Sequence, residues 1–334
     1  MKKSLIVLAA LGAFASVASA QSSITMYGRV DLSVNKGVGQ AAKNLSNGSG
    51  SRLGLRGVED LGGGMTAFFN VEMRFDADTG ASQNFKVALP GEAATAGTGN
   101  RFWGARSLVG LQGGFGKVSL GREYTTAFLG SQLVADPWGW DTVVNATPGA
   151  GLNQALTGGG IARVRNDSSV TYNFAASGFS FGAQIAEATD TINNFQKKPF
   201  NFAVGYAAGP LSLGLGYEKT GQVGTASAKW TTVNAAYNLG MVKLGAFYGK
   251  GTTSANADHQ SYMLTAVAPM GQGELRASLG KLRNKSANVD AAKGFAVGYH
   301  YALSKRTTLY TDYVRNTAVA TEKAGYDFGI KHNF

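Results

Sequence analysis

The sequence predicts an all-β protein, a sixteen-stranded antiparallel transmembrane β-barrel. Three observations point there. Apolar and polar residues alternate with a period of two over stretches longer than the ~5–6 residues usual in soluble sheets. Short turns and long polar connections take turns along the chain. An export leader precedes them all.

Composition excludes much else. The 334 residues contain no cysteine, which removes disulfide frameworks, zinc–thiolate sites, iron–sulfur clusters and thiol enzymes. Only 15% are charged, too few for a disordered or coiled-coil chain. Mean hydropathy is -0.07, and after Phe14 no segment reaches the ~20 apolar residues of a membrane-spanning helix. Glycine at 47 residues with only 6 prolines suits strands and turns. The net charge of +11 fits nucleic acid, an anionic membrane surface or anionic solutes, and only the positions of the charges can decide.

The leader is read first. Lys2 and Lys3 form a basic start, Leu5 to Phe14 is apolar, and Ala18-Ser19-Ala20 makes a small-residue cleavage site before Gln21. This is a secretory signal over residues 1–20, cut between Ala20 and Gln21, with a mature domain over 21–334. Export argues against nucleic acid as a partner.

The strands follow. Ile24, Met26, Val30, Leu32 and Val34 oppose Thr25, Tyr27, Arg29, Asp31 and Ser33. Met65, Ala67, Phe69, Val71, Met73 and Phe75 oppose Thr66, Phe68, Asn70, Glu72, Arg74 and Asp76. The same alternation recurs at Val170–Phe174, Val242–Tyr248 and Tyr326–Phe334. Short breaks fall at Leu61–Gly64, Gln112–Phe115, Ala175–Gly178, Ala208–Pro210, Asn238–Met241, Pro269–Gly273 and Ala302–Lys305. Longer polar stretches lie at roughly 35–49, 78–100, 125–164, 189–198, 220–228, 251–258, 284–292 and 317–322. Seven turns and eight loops separate sixteen strands and leave both ends on the turn side.

Lipid cannot satisfy backbone N–H and C=O groups, so a sheet in a membrane closes on itself. Sixteen strands enclose an aqueous channel and not a packed interior. The polar face of each strand then lines that channel. In a soluble sandwich the apolar faces would meet instead. The leader, the strand length and the turn asymmetry favour the barrel.

Several segments carry a family resemblance that covers essentially the whole mature chain. These are Ser23-Ile24-Thr25-Met26-Tyr27-Gly28-Arg29-Val30-Asp31, the stretch Ser51-Arg52-Leu53-Gly54-Leu55-Arg56-Gly57-Val58-Glu59-Asp60-Leu61-Gly62-Gly63-Gly64, Phe115-Gly116-Lys117-Val118-Ser119-Leu120-Gly121-Arg122, Leu303-Ser304-Lys305-Arg306-Thr307 and Gly329-Ile330-Lys331-His332-Asn333-Phe334. Together they resemble Gram-negative trimeric general diffusion porins, in particular the betaproteobacterial branch. The resemblance implies a homotrimer in the cell outer membrane, in contact with lipid and lipopolysaccharide. It implies that the apolar face of Tyr326, Phe328, Ile330 and Phe334 ends in an assembly signal read by the barrel-assembly machinery. It also implies that the long third loop folds into the pore and narrows it. The length of 125–164 supports that reading independently, because long structureless loops are usually functional.

Seven arginines have the parity of the lumen: Arg29, Arg52, Arg56, Arg74, Arg106, Arg163 and Arg165. By resemblance, Arg52, Arg106 and Arg165 line the constriction, although the family often has its second arginine one position earlier, at Ala105 here. Glu72 and Asp141 resemble the acids that face this cluster, with Asp136 a second candidate in the loop. Guanidinium stays charged at any physiological pH, and a ring of such charges in a narrow pore favours anions.

Enzyme chemistry finds no support. His259, His300 and His332 share no metal-ligand spacing. The glycine runs at Gly54–Gly57, Gly97–Gly104 and Gly113–Gly116 match neither a dinucleotide fingerprint nor a phosphate loop. No nucleophile elbow occurs. The expectation is an outer-membrane channel, not an enzyme, without cofactor or metal. It would pass small hydrophilic solutes and ions passively and prefer anions. The alternatives are a channel selective for an organic acid or phosphate, and a surface adhesin or structural envelope barrel.

Overall fold

The computed structural model describes residues 22–83, 101–145, 151–187, 189–190, 193–194, 198–221 and 226–334. The expected leader and its cleavage pair, Ala20 and Gln21, lie outside them. Sixteen long strands run in chain order: β1 (Ser23–Lys36), β2 (Ser51–Gly62), β3 (Met65–Phe75), β4 (Arg106–Gly113), β5 (Gly116–Tyr124), β6 (Arg165–Ala176), β7 (Phe179–Ala186), β8 (Phe200–Ala208), β9 (Leu211–Lys219), β10 (Lys229–Asn238), β11 (Lys243–Thr252), β12 (Asp258–Met270), β13 (Gly273–Asn284), β14 (Val289–Ala302), β15 (Thr307–Asn316) and β16 (Ala324–Asn333). Each pairs antiparallel with the next, and β16 returns to β1 from Arg29↔Asn333 to Lys36↔Tyr326. The seam is completed by Gly28 and Phe334, whose backbone groups exchange hydrogen bonds of 3.0 and 3.1 Å. Closure leaves no unpaired edge, which is what a sheet in lipid requires.

The alternation holds. Ile24, Met26, Val30 and Val34 point outward and are exposed, while Asp31 and Ser33 between them are buried. On the last strand Tyr326, Phe328 and Ile330 are exposed and Asp327 is buried. The surface of this barrel is thus apolar and its interior polar, the reverse of a soluble fold. All seven expected turns join successive strands, and glycines supply left-handed positions in most of them, as at Gly63 (φ 61°) and Gly64 (φ 77°), with Ser177 (φ 51°) taking one as well. Two loops are shorter than the sequence implied. The β13–β14 connection occupies only 285–288, because Val289–Ala292 continue a strand past a register shift at Leu282/Arg283. The β11–β12 loop occupies 253–257. At this end of the barrel, loop and turn lengths converge.

The third loop enters the lumen. It begins with a π-helical turn at Phe128–Gln132, continues through a 3₁₀ turn at Leu133–Ala135, and later forms α1 (Leu152–Thr157). Gly158 in the left-handed region (φ 117°) ends α1. The barrel wall makes room for the first part: a Cβ on Gly216 would lie 2.0 Å from Ser131 Oγ, and one on Gly182 would lie 2.9 Å from Thr126 Cβ. Trp138, Val144, Leu152, Leu156 and Ile161 of the loop pack against Trp230, Phe247, Met263, Leu282 and Val314 on the inner faces of β10 to β15. The inner face is thus not polar throughout. It is apolar where α1 seats, and that contact is the main apolar core of the described residues. Polar wall residues satisfy the loop backbone that burial would otherwise orphan. Trp230 Nε1 donates to Thr157 O at 3.1 Å, Ser261 Oγ to Leu156 O at 2.6 Å, and Asn234 Nδ2 to Ser131 O at 2.9 Å. Asp327 accepts from Val143 N at 2.8 Å and Asp312 from Trp138 Nε1 at 2.7 Å.

Candidate pore constriction

The loop covers the inner faces of β8 to β16, so the opposite wall, β1 to β6, stays bare and carries the cations. Strand register sets them in a row. Arg29 on β1 lies directly opposite Arg52 on β2, and Arg52 directly opposite Arg74 on β3. Like charges so opposed destabilise a sheet. Carboxylates and a phenol offset this. Glu72 sits in the row, 4.0 Å from Arg52 and 3.8 Å from Arg74, with Tyr27 Oη donating to it at 3.2 Å. Its cross-strand partner is Arg106, which also meets Glu123 at 2.7 Å.

Tyr124 joins the row to the loop. Its Oη accepts from Arg74 Nη2 at 2.9 Å and from Arg165 Nη2. The guanidinium carbons of Arg165 and Arg106 lie 4.0 and 5.1 Å from its ring centroid. On its other side Tyr124 stacks on Phe128, 5.6 Å between centroids, and Phe128 meets Trp140 edge-on at 4.8 Å. Asp141 completes the ring from the loop side: Arg29 Nη1 reaches its Oδ2 at 2.9 Å and Ser49 Oγ at 3.1 Å.

The structure therefore brings together Arg52, Arg106, Arg165 and Glu72, and adds Arg29 and Arg74 to them. Ala105 is fully buried, and it is Arg106 that faces Glu72 and Glu123. Asp141 faces the row through Arg29. Asp136 is corrected: it does not face the pore. It is 5% exposed and accepts from Trp138 N, Trp140 N, Asn145 Nδ2 and Asn153 Nδ2 at 2.7–3.1 Å. Burial pushes its carboxyl above the usual carboxylate range, against the pull of these hydrogen bonds. It organises the loop. Arg56 stands apart from the cluster, exposed, 5.5 Å above the Tyr27 ring. Arg163 lies where the loop rejoins the wall, its N–H donating to Glu218 at 2.7 Å.

Tyr124 and Glu123 were not among the expected residues. A register shift between Gly121 (φ 127°) and Glu123 interrupts the two-residue alternation and re-aims the end of β5. Strict parity from Val118 and Leu120 places Tyr124 outside. The signal available in the sequence is the glycine at 121.

A closed barrel with a largely polar interior, narrowed by one inserted loop facing fixed cations, defines a transmembrane channel. The chain belongs to the Gram-negative porin family, which matches residues 7–321. Outer membrane porin protein 32 of Delftia acidovorans is 32% identical over 371 residues that cover the whole of both chains. Among solved structures, the anion-selective porin from Comamonas acidovorans superposes with a TM-score of 0.72 at 29% identity, over 94% of this chain and 100% of that one. OmpT of Vibrio cholerae in its trimer form gives 0.68 at 16% identity, over 94% and 99%, a likeness of fold. The protein is an outer-membrane channel through which small hydrophilic solutes diffuse passively.

Proposed function

We propose that this porin prefers anions, and that Arg52, Arg106 and Arg165, with Arg29 and Arg74, set the preference at the constriction. The observation that carries this is the row of guanidiniums aligned across β1 to β3 and extended by Arg106 and Arg165, opposite the inserted loop. An anion entering the narrowest part exchanges water for fixed donors that stay charged at every physiological pH. Glu72 and Asp141 hold the arginines apart and lower the net charge, so an anion is attracted without being trapped. The Comamonas porin, 29% identical to this chain, is anion-selective, which supports the same reading.

Three further assignments belong to this proposal. Residues 1–20 are a cleaved leader and 21–334 the mature barrel. The channel works as a homotrimer, as the trimer form of OmpT suggests by analogy. The outward Tyr326, Phe328, Ile330 and Phe334 serve the barrel-assembly machinery as its recognition face.

Zero-current potential in a potassium chloride gradient tests the preference on the purified channel in planar bilayers. The expected sign is that of chloride permeating faster than potassium. A potential of the opposite sign overturns the proposal.

A further inference from the structure

On the turn side of the constriction, the lumen wall bears side chains that the arginine row does not include. Strand register sets them level. Gln112 on β4 lies directly opposite Lys117 on β5, Lys117 opposite Asn173 on β6, and Asn173 opposite Gly182 on β7. They share the parity of Arg106, Ser119, Thr171 and Gln184, so they face the lumen. Here the wall recedes into a cavity of about 610 Å³, within the ~300–1,000 Å³ usual for small-molecule sites. Its polar lining is Gln112, Lys117, Asn173 and Ser180, and its small residues include Gly182, Ala203 and Gly205. The start of the third loop bounds it with Leu129 and Gly130. The loop is seated tightly there, since a Cβ on Gly130 would lie 2.6 Å from Ala203 Cβ. No carboxylate is among the described residues that line the cavity.

Lys117 supplies the charge. The acid on its own strand, Glu123, is taken by Arg106 at 2.7 Å. The Lys117 ammonium instead rests on a ring, 4.3 Å from the centroid of Phe68. Phe68 is the one apolar side chain in the inward series Thr66, Phe68, Asn70, Glu72 and Arg74 of β3. Its ring lies across β4, where a Cβ on Gly110 would meet it at 2.4 Å.

This lining selects a ligand chemistry. One cation with no acid beside it in the lining asks for one negative charge. The amides of Gln112 and Asn173 and the hydroxyl of Ser180 both donate and accept, which matches hydroxyl groups. Leu129 and the small residues leave room for the C–H face of a compact ring. We propose that the cavity is a subsite for sugar acids, polyhydroxylated monocarboxylates of hexose size. Lys117 binds the carboxylate, Gln112, Asn173 and Ser180 bind the hydroxyls, and Phe68 is a positioning residue for the ammonium. The assignment rests on the channel reading and adds a station beyond the constriction. Fixed charge at the constriction treats small monovalent anions alike, whereas this site also reads hydroxyls.

The test records single-channel chloride current through the full-length porin in planar bilayers, with D-glucuronate, D-glucose or acetate added to each side in turn. Glucose has the hydroxyls without the charge, and acetate the charge without the hydroxyls. Glucuronate is expected to interrupt the current saturably. Its half-blocking concentration should lie at least ~10-fold below those of glucose and acetate, because a hydrogen bond to a charged group, or several neutral ones, contributes about that factor. Lys117→Gln should raise the glucuronate value at least ~10-fold and leave acetate block little changed. Asn173→Asp keeps the side-chain shape and sets a carboxylate directly opposite Lys117, so it should do the same. If neither variant assembles, Ser180→Ala should raise the glucuronate value about fivefold, the scale of one neutral hydrogen bond. Equal block by glucuronate and acetate in the wild type, or undiminished glucuronate block in the variants, overturns the subsite and leaves the channel standing. A parallel shift for acetate would make Lys117 a general lumen charge and also overturn it. A wild type that passes no ionic current overturns the channel reading, and this subsite with it.

Discussion

Asp136 and Asp141 lie five residues apart in one loop and differ completely in role. Asp141 is half-buried and meets Arg29 across the lumen, whereas Asp136 is buried among four donors of its own loop. Replacing Asp136 by alanine leaves those donors without an acceptor in a closed site. The expected cost is about 3 kcal/mol of loop stability, read as a lower midpoint for thermal unfolding and as noisier open-channel current. A variant with the wild-type midpoint and a quiet current would show that the loop is held elsewhere. Resemblance put Asp141 first and kept Asp136 as a second candidate, because nothing in Asp136-Pro137-Trp138-Gly139-Trp140-Asp141 itself says which side chain turns inward. Tyr124 was hidden for a different reason: parity counting fails across the irregularity at Gly121–Glu123. Arg29 and Arg74 were legible as lumen residues, but their alignment with Arg52 is a matter of register, which alternation within one strand does not fix. Tyr124→Phe isolates that hub. It removes the acceptor shared by Arg74 and Arg165 while keeping the ring against Phe128. The barrel should assemble normally and the current noise should rise, since loss of a hydrogen bond on the ~1 kcal/mol scale shifts the population of the loosened hub by about fivefold. A current trace like that of the wild type would remove Tyr124 from the account.

The elements were the most readable level. Long alternating segments separated by glycine turns located the sixteen strands, because a membrane sheet must repeat its period along every strand. What could not be read was the seat of the third loop. Trp230, Phe247, Met263 and Leu282 break the polar parity of four separate strands, and only the closed barrel gathers them beneath α1. The loop is thus held on the apolar wall by α1 and by Trp138, while Asp141 reaches the arginines. Removing 136–141 takes away the Asp136 acceptor of Asn153 on α1 and the Trp138 anchor, so it should loosen the loop and widen the passage together, raising single-channel conductance or speeding the entry of larger sugars. Unchanged conductance in a correctly folded channel would mean that this segment does not narrow the pore. At the other end of the chain, Phe334 closes the seam through Gly28, and its ring occupies the space that a Cβ at Gly28 would need, 2.3 Å away. Deleting Phe334 should reduce heat-modifiable protein in the outer membrane without reducing export. Normal outer-membrane levels after the deletion would contradict the assembly role.

At the scale of the whole molecule, the barrel divides its charge by location. Cations on the bare inner wall of β1 to β6 face the lumen, and Lys281, Arg283 and Lys293 on β13 and β14 gather at Asp290 on the outer face. The net charge of +11 reveals neither, since a total carries no position. The central claim concerns the inner wall. At ~0.1 M salt the screening length is about 10 Å, comparable to a narrow passage, so charges at the constriction outweigh distant ones. Replacing Arg52, Arg106 and Arg165 together by serine keeps Arg74 beside Glu72, 3.8 Å away, so the buried acid retains a partner. The measurement is the zero-current potential of this triple variant in a potassium chloride gradient, recorded near 0.1 M and again near 1 M, where screening shortens to about 3 Å. The account predicts a shift toward cation preference at the lower salt that shrinks at the higher. A variant that assembles and conducts yet keeps the wild-type potential at ~0.1 M would contradict it.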